Sequence, residues 1–482
     1  MECAMRFSRI DFAIGTLLVL FVFVTHALSP VSQPYDSRWT IHTAESLLRE
    51  GNFDLDEYLP LLEADGFYHI ECVFPDGSRI RRVHKAADCK GGHFYHFYPL
   101  GVPIMTAPIV AVLQSGLDVM QPGLGEWADR QLGSEVHKVF FRGDLIGSSR
   151  MVELLIASFL IALSTGLFYL LARDWLTRSS AVLLALLFAF ASPAWSTGSR
   201  ALWMHGFSML LLTLGLLLLR MGRSWGRWPW AAAGAVLSFA VFVRPTNLVP
   251  LAAVGLWILW RHRGRAAWFA LGSTPVFLLF ASLHLALYHA VIPAYSRVQR
   301  TDESGLSFGP HVPEALLGNL ISPSRGLLVF LPLVLFSGAG LWLWWRSREN
   351  RDWAVLLAGI FLAHYLLISF YEDWYGGHGY GPRYFADIVP VLLLPLAACL
   401  ARPWRPRWAI PFVLCAAVSV FMHSQGAWCG ACMRWDSEPR EIRESVWRIW
   451  DWEYPMFLRG FRQPDAAPAK HSTEVPAARQ TK

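Results

Sequence analysis

Over 482 residues the chain is 54% hydrophobic and 16% charged, against about 25% charged in an ordinary soluble domain, which excludes a soluble enzyme, a disordered chain, a collagen and a disulfide miniprotein. The formal charge is +6 and the pI near 9.0. The arginines stand between apolar runs, where they orient a membrane protein, so the charge reports topology and no nucleic-acid partner is expected.

In chain order, apolar runs fall at 12–28, 152–172, 181–195, 201–219, 228–243, 246–260, 266–288, 326–345, 353–370, 384–401 and 408–424, eleven in all. Each is long enough to cross, or nearly cross, a bilayer that needs about 20 helical residues. The short ones need neighbouring helices and terminal Arg side chains to cover the mismatch. The first ends without a small-residue cleavage site and is followed by Pro30, Pro34 and Tyr35, so it reads as a retained helix. With the N-terminus inside, six short loops on its side hold sixteen arginines, from Arg6 and Arg9 to Arg402, Arg405 and Arg407. That bias predicts a cytoplasmic N-terminus and places loop 30–98 and the chain after 424 outside.

The stretch 99–120 would invert every later loop if it crossed, and Pro99, Pro103 and Pro108 argue against a clean lipid-exposed span. It is read as re-entrant or interfacial, with a twelfth, kinked span as the alternative. The expected fold is an all-α polytopic membrane protein of about eleven transmembrane helices. Residues 1–424 form the membrane module, 425–462 an extracytoplasmic Trp-rich segment, and 463–482 a disordered tail rich in Pro, Ala and charge.

In the first outward loop, Ile41, Ala44, Leu47 and Leu48 recur at helical spacing between Arg38 and Arg49, predicting a helix on the membrane surface. Asp36 precedes it, at the joint between helix and loop, where it could equally be an N-cap. Cys72 and Cys89 flank a Pro-Asp-Gly-Ser turn that predicts a small hairpin closed by a disulfide, the alternative being two free thiols. Cys429-Gly-Ala-Cys432 lacks a second Cys or His pair at zinc-ribbon spacing, so a local disulfide or no bond is expected rather than redox or metal chemistry.

Ionisable groups at a membrane boundary are the strongest functional pointers in such a chain, because burying a charge is costly unless it is paired or used. Arg200, Arg244, Arg325 and Arg383 sit against apolar runs on the outward side, away from the cytoplasmic girdle. Arginine there suits a phosphate through its fork of donors. The alternative is pairing with an outward carboxylate such as Asp373 or Glu372, or snorkelling to headgroups. The glycines from Gly376 to Gly381 let a backbone turn sharply and approach a ligand. His205 and His378 could donate to a phosphate, and no metal site is read from them. No Walker loop, dinucleotide fingerprint or His-Glu-x-x-His motif occurs.

In order along the chain, an early Asp in an outward loop, then HFYHFYPLG, SRALWMHG, VRPTN, SPSRGLLVFLP, DWYGGHGYGPRYF and finally RIWDWEYPMFLRG resemble the GT-C glycosyltransferase superfamily. More narrowly, they resemble the bacterial transferases related to protein mannosyltransferases and lipid A aminoarabinose transferases. The resemblance implies a GT-C-like fold in a bacterial inner membrane, with the active site on the periplasmic or extracytoplasmic face. It also implies a polyprenyl-phosphate-linked sugar donor, an envelope glycan, lipid or protein acceptor, and an acidic base in the first outward loop. Asp36 occupies that position, and the substrate-binding set becomes Tyr98, Arg200, His205, Arg244, Arg325, His378 and Arg383. The family's Lys-Tyr-Pro-Pro-Gly stretch reads Phe97-Tyr98-Pro99-Leu100-Gly101 here, so His96 would have to replace the lysine. Where relatives carry an acidic pair, this chain has Asp36-Ser37, and a second carboxylate must come from Glu45, Asp54 or Asp56.

These parts predict an inverting hexosyl or pentosyl transfer in which Asp36 takes the acceptor proton and arginines meet the departing phosphate. No nucleotide or redox cofactor is expected, and a divalent metal stays open. Two rival readings are a transporter or flippase of lipid-linked sugar, which would want a midplane site and inverted repeats, and a metal-independent glycan polymerase or ligase leaning on Arg and His.

Overall fold

The computed structural model of the protein describes residues 7–33, 35–291, 305–403 and 405–462. The expected tail 463–482, with Cys3 and Arg6, lies outside the described residues. The chain is an all-α multi-pass membrane protein carrying one small sheet. Its elements are α1 (Arg9–Ala27), α2 (Thr40–Arg49), α3 (Leu59–Ala64), β1 (Ile70–Val73), β2 (Arg79–Ile80), β3 (His93–His96), α4 (Gly101–Met120), α5 (Gly123–Gln131), α6 (Glu135–Phe141), α7 (Ser149–Ala172), α8 (Arg178–Phe190), α9 (Met204–Met221), α10 (Trp228–Val243), α11 (Leu248–Arg261), α12 (Arg263–Tyr288), α13 (Val312–Ile321), α14 (Val334–Arg346), α15 (Arg351–Ser369), α16 (Arg383–Leu400) and α17 (Pro406–Trp428).

Among the described residues, eight helices are long and apolar enough to cross a bilayer: α1, α4, α7, α9, α12, α15, α16 and α17. Every one of the eleven expected runs contains a helix, but α8, α10, α11 and α14 have only 13, 16, 14 and 13 residues. Proline supplies the physical reason, since it removes a backbone donor and clashes with the preceding turn. Pro193 follows α8 and opens a π-helical turn over Ala194–Gly198, Pro245 lies between α10 and α11, and Pro332 separates the single turn Leu327–Phe330 from α14.

At one end of the bundle Ser8 caps α1, and its backbone N–H donates to Asp11 Oδ2 at 2.9 Å in a capping box. Asp11 then accepts from Arg173 Nε at 2.9 Å and Arg178 Nε at 3.0 Å, tying the start of α1 to the end of α7 and the start of α8. Arg220 pairs there with Asp174 and Arg223 with Asp352, which joins α9 to α15. This arginine end gathers most of the basic loops expected on one side. Leu271, Leu278 and Leu279 on α12, and Ile410, Val413 and Leu414 on α17, remain exposed around the bundle, as a lipid-facing surface requires.

Helix α4 is unbroken through Pro108, and Pro103 falls in its first turn, where no intrahelical donor is lost. It packs with Ile41 and Ala44 of α2, Phe140 of α6, and the early turns of α7 and α9. Gln114 Nε2 donates to the Gly143 carbonyl at 3.2 Å, six residues before α7 begins. Helix α4 therefore stays at the end opposite the arginines. It is one continuous helix, and by length and composition it is among those able to cross a bilayer.

That opposite end is covered by the segment between α1 and α4. Strand β1 pairs antiparallel with both β2 and β3, and the Cys72–Cys89 disulfide closes the predicted hairpin over a hydrophobic cluster that includes Trp39, Leu55 and Phe94. The Trp-rich chain after α17 folds over the same end, packing Trp435, Ile449 and Met456 against Phe330 and Tyr380. Cys429 and Cys432 are both free thiols.

Candidate functional site

Between these two covers lies a cavity of about 480 Å³, lined among others by Asp36, Tyr98, Arg244, His378 and Arg383. Five of the residues singled out from sequence thus meet in one hollow, although up to 347 positions separate them in the chain. Asp36 stands between α1 and α2, where Arg383 Nη2 donates to its Oδ2 at 3.3 Å. It caps neither helix: Ser37 and Trp39 carry the start of α2. Burial works to raise its carboxyl, but Arg383 beside it and a hydrogen bond from Tyr98 outweigh that, holding it below the usual carboxylate value.

Arg383 opens α16 and is cradled by the glycine-rich turn before it. Its Nη1 donates to the His378 carbonyl at 2.7 Å, and its guanidinium lies 4.8 Å from the Trp203 ring centroid. Gly376 has φ +82°, and a Cβ on Gly379 would fall 2.4 Å from Arg383 Cδ. These glycines fit the turn around an arginine side chain, and Gly376 and Gly377 also line the cavity.

Arg244, between α10 and α11, is aimed by Asp387 of α16. Its Nε lies 2.9 Å from Asp387 Oδ2 and 3.1 Å from Thr246 Oγ1, and its Nη1 is 2.9 Å from His205 Nδ1. Among the described residues Nη2 has no partner, which leaves one donor nitrogen for whatever occupies the cavity. His205 stands behind the wall, 2.8 Å from Asp387 Oδ1, and so positions Arg244 rather than lining the hollow.

Two of the four outward arginines do not reach the cavity. Arg200 is fully buried and donates to the carbonyls of Ser29, Val31 and His26 at 2.8, 3.3 and 2.5 Å, satisfying the orphan acceptors after α1. Arg325 pairs with Asp436 at 2.6 Å and donates to the carbonyls of Gly379 and Gly377 at 2.7 and 3.0 Å. It pins the glycine turn from behind. Neither Asp373 nor Glu372 is the partner of an outward arginine; Asp36, Asp387 and Asp436 take those places.

The expected second carboxylates also lie elsewhere. Glu45 pairs with Arg49 and accepts from Tyr58 at 3.2 Å, while Asp56 meets His93 at 2.7 Å. Asp54, Asp56 and His93 form the one group of three metal-ligating side chains among the described residues, all outside the cavity. Besides Asp36, the carboxylates that line it are Asp373 and Glu441, the latter 2.8 Å from His378 Nε2. His96 is absent from the cavity lining, and burial pushes its imidazole down to about 3, which favours the neutral form over a lysine-like cation.

Sequence reasoning missed His69, Glu441 and Arg443 in the lining. His69 is held at φ +55°, a backbone region that costs a non-glycine residue energy and is retained where the surroundings enforce it. Burial keeps its imidazole below the ordinary value despite the pull of Asp36. Glu153, beneath the site in α7, accepts from Ser37 Oγ. A lone Glu at the head of an apolar run was a readable signal for it, as was Asp387 at the head of another. Arg443 comes from a single 3-10 turn over Ile442–Glu444 and carried no such mark. No family model, no curated protein and no solved structure matches the chain.

Proposed function

We propose that the protein is a GT-C-like membrane glycosyltransferase of the bacterial inner membrane, with about eleven crossings and its cavity on the extracytoplasmic face. It moves a sugar from a polyprenyl-phosphate donor to an envelope glycan, lipid or protein acceptor. One observation carries the reading: an ionised carboxylate, Asp36, and the guanidinium groups of Arg383 and Arg244 share one cavity at the end away from the arginine-rich loops.

In this reading the acceptor oxygen attacks the anomeric carbon from the side opposite the phosphate. As the new C–O bond forms, the old one breaks, and its electron pair leaves on the phosphate oxygen. The acceptor proton passes to Asp36. Arg383 and the open Nη2 of Arg244 meet the charge that grows on the departing phosphate. Arg443 adds a third guanidinium from the C-terminal cover, and Asp373 and Glu441 offer acceptors for sugar hydroxyls.

A carrier that alternates access wants its site at mid-bundle between repeats, whereas this cavity sits at one end under two covers. The decisive measurement is release of free polyprenyl phosphate on adding acceptor to the purified protein in vesicles. Asp36→Asn is expected to reduce that release by about 10²- to 10⁴-fold. Full release by this variant, or sugar movement without bond cleavage, overturns the reading.

A further inference from the structure

A second cavity, of about 540 Å³, opens at the arginine end between α14, the end of α16 and the start of α17. Its walls include Leu335, Phe336, Ala339 and Leu343, and its mouth carries Arg402, Arg405 and Arg407. No carboxylate is among the residues that line it. The three arginines are exposed and form no ion pair with any described residue, unlike Arg173, Arg178, Arg220 and Arg223 at the same end, which each hold a carboxylate. Arg346 adds a fourth cation, stacked 4.1 Å from the ring centroid of Trp342 on the groove's rim. Trp342 and Trp408 flank the opening and are exposed, as aromatic side chains are at the level of lipid headgroups.

We propose that this groove binds one anionic phospholipid, with its phosphate among Arg402, Arg405 and Arg407 and an acyl chain along α14. Charge and shape both select this occupant. From Leu335 to Arg346 helix α14 runs roughly 16 Å at about 1.5 Å per residue, an apolar track beside a cluster of cations. A free phosphate would use the arginines and leave that track empty. A zwitterionic lipid would fill the track and leave the excess positive charge unanswered. The inference is independent of the sugar-transfer reading, since no residue of this groove lines the other cavity.

The test uses the full-length protein, stripped of lipid in detergent, titrated with phosphatidylglycerol and followed by native mass spectrometry. The variant R402Q/R405Q/R407Q should bind at least about tenfold more weakly. R261Q/R263Q/R265Q, which removes equal charge from a neighbouring turn at the same end, should stay within about twofold of the parent. Ala339→Trp, which fills the groove without changing charge, should also lose the lipid. Equal losses in the two arginine triples, phosphatidylcholine binding as tightly as phosphatidylglycerol, or full displacement of the lipid by glycerol phosphate would each overturn the proposal.

Discussion

At the arginine end of the bundle, Arg173 and Arg178 share Asp11, Arg220 takes Asp174 and Arg223 takes Asp352. Each of these pairs ties one helix terminus to another, and none lines the polar cavity. At the opposite end Arg383 and Arg244 are also paired, with Asp36 and Asp387, but both face that cavity. The same residue type therefore serves as a fastener at one end and as a poised donor at the other. What distinguishes the two uses is whether the guanidinium lines the cavity, which no count of arginines along the chain reveals.

The largest expected effect breaks this comparison at Asp36 and Asp11, two carboxylates that each hold arginine. Asp36→Asn should cut transfer by about 10²- to 10⁴-fold and lower the thermal midpoint less than Asp11→Asn does, since Asp36 holds one arginine where Asp11 holds two. Asp11→Asn should lower the midpoint and leave transfer per folded molecule intact. Paired activity and melting measurements on the two variants check this, and a midpoint drop without loss of activity for Asp36→Asn would make that end a fastener as well.

Next in size is Arg325, a residue of the site end that belongs with the fasteners. Arg325→Met leaves Asp436 buried without its partner and frees the carbonyls of Gly377 and Gly379. Breaking a buried pair in this way costs about 3–5 kcal/mol. The loss should show as a lower unfolding midpoint in detergent, with KM and kcat of the surviving fraction close to parental. A kcat loss without any change in midpoint would instead place Arg325 among the groups that meet the substrate.

Smaller again is the disulfide of the cover. Cys72 and Cys89 are separated by 17 positions, and closing a loop of that size contributes about 3 kcal/mol. Cys72→Ser with Cys89→Ser should loosen the small sheet, read as faster amide hydrogen exchange in β1 to β3, while exchange at the arginine end stays unchanged. Uniform loosening of both ends would mean that the cover and the bundle unfold as one unit.

The ease with which each feature could be read from sequence follows the same division. Cys72–Cys89 and its hairpin were legible because the turn and both cysteines are local. Helix α2 and the arginine end were legible because spacing and charge repeat, although α2 is packed into the molecule with Thr40 to Ser46 buried. Arg200 and Arg325 were misread because their partners are backbone carbonyls and a distant Asp436, which leave no mark near either arginine. Helices α8 and α14 came out shorter than their apolar runs because Pro193 and Pro332 interrupt helices that composition alone counts as continuous. His69 and Arg443 escaped notice because tertiary folding alone brings them to the cavity.

The smallest effect concerns pH and sharpens the comparison within the cavity itself. Arg383 and Tyr98 hold the Asp36 carboxyl below its usual value against the upward push of burial. For a carboxyl depressed in the native state, the stabilisation is fully present above the unfolded-chain value of about 3.9 and is lost as pH falls through the lower native value. The catalytic form is the ionised one, so transfer should be level from about pH 7 down to about pH 5, with its acid limb below about 4. Arg383→Gln removes the first of the lowering influences and leaves burial in place, so the limb should move upward. Glu441→Gln, which lines the cavity but pairs with His378 rather than with Asp36 or Arg383, should leave it where it is. An acid limb near pH 6 in the parent protein would assign proton acceptance to an imidazole instead, and His69 and His378, the two histidines in the lining, would then be separated by glutamine substitution at each.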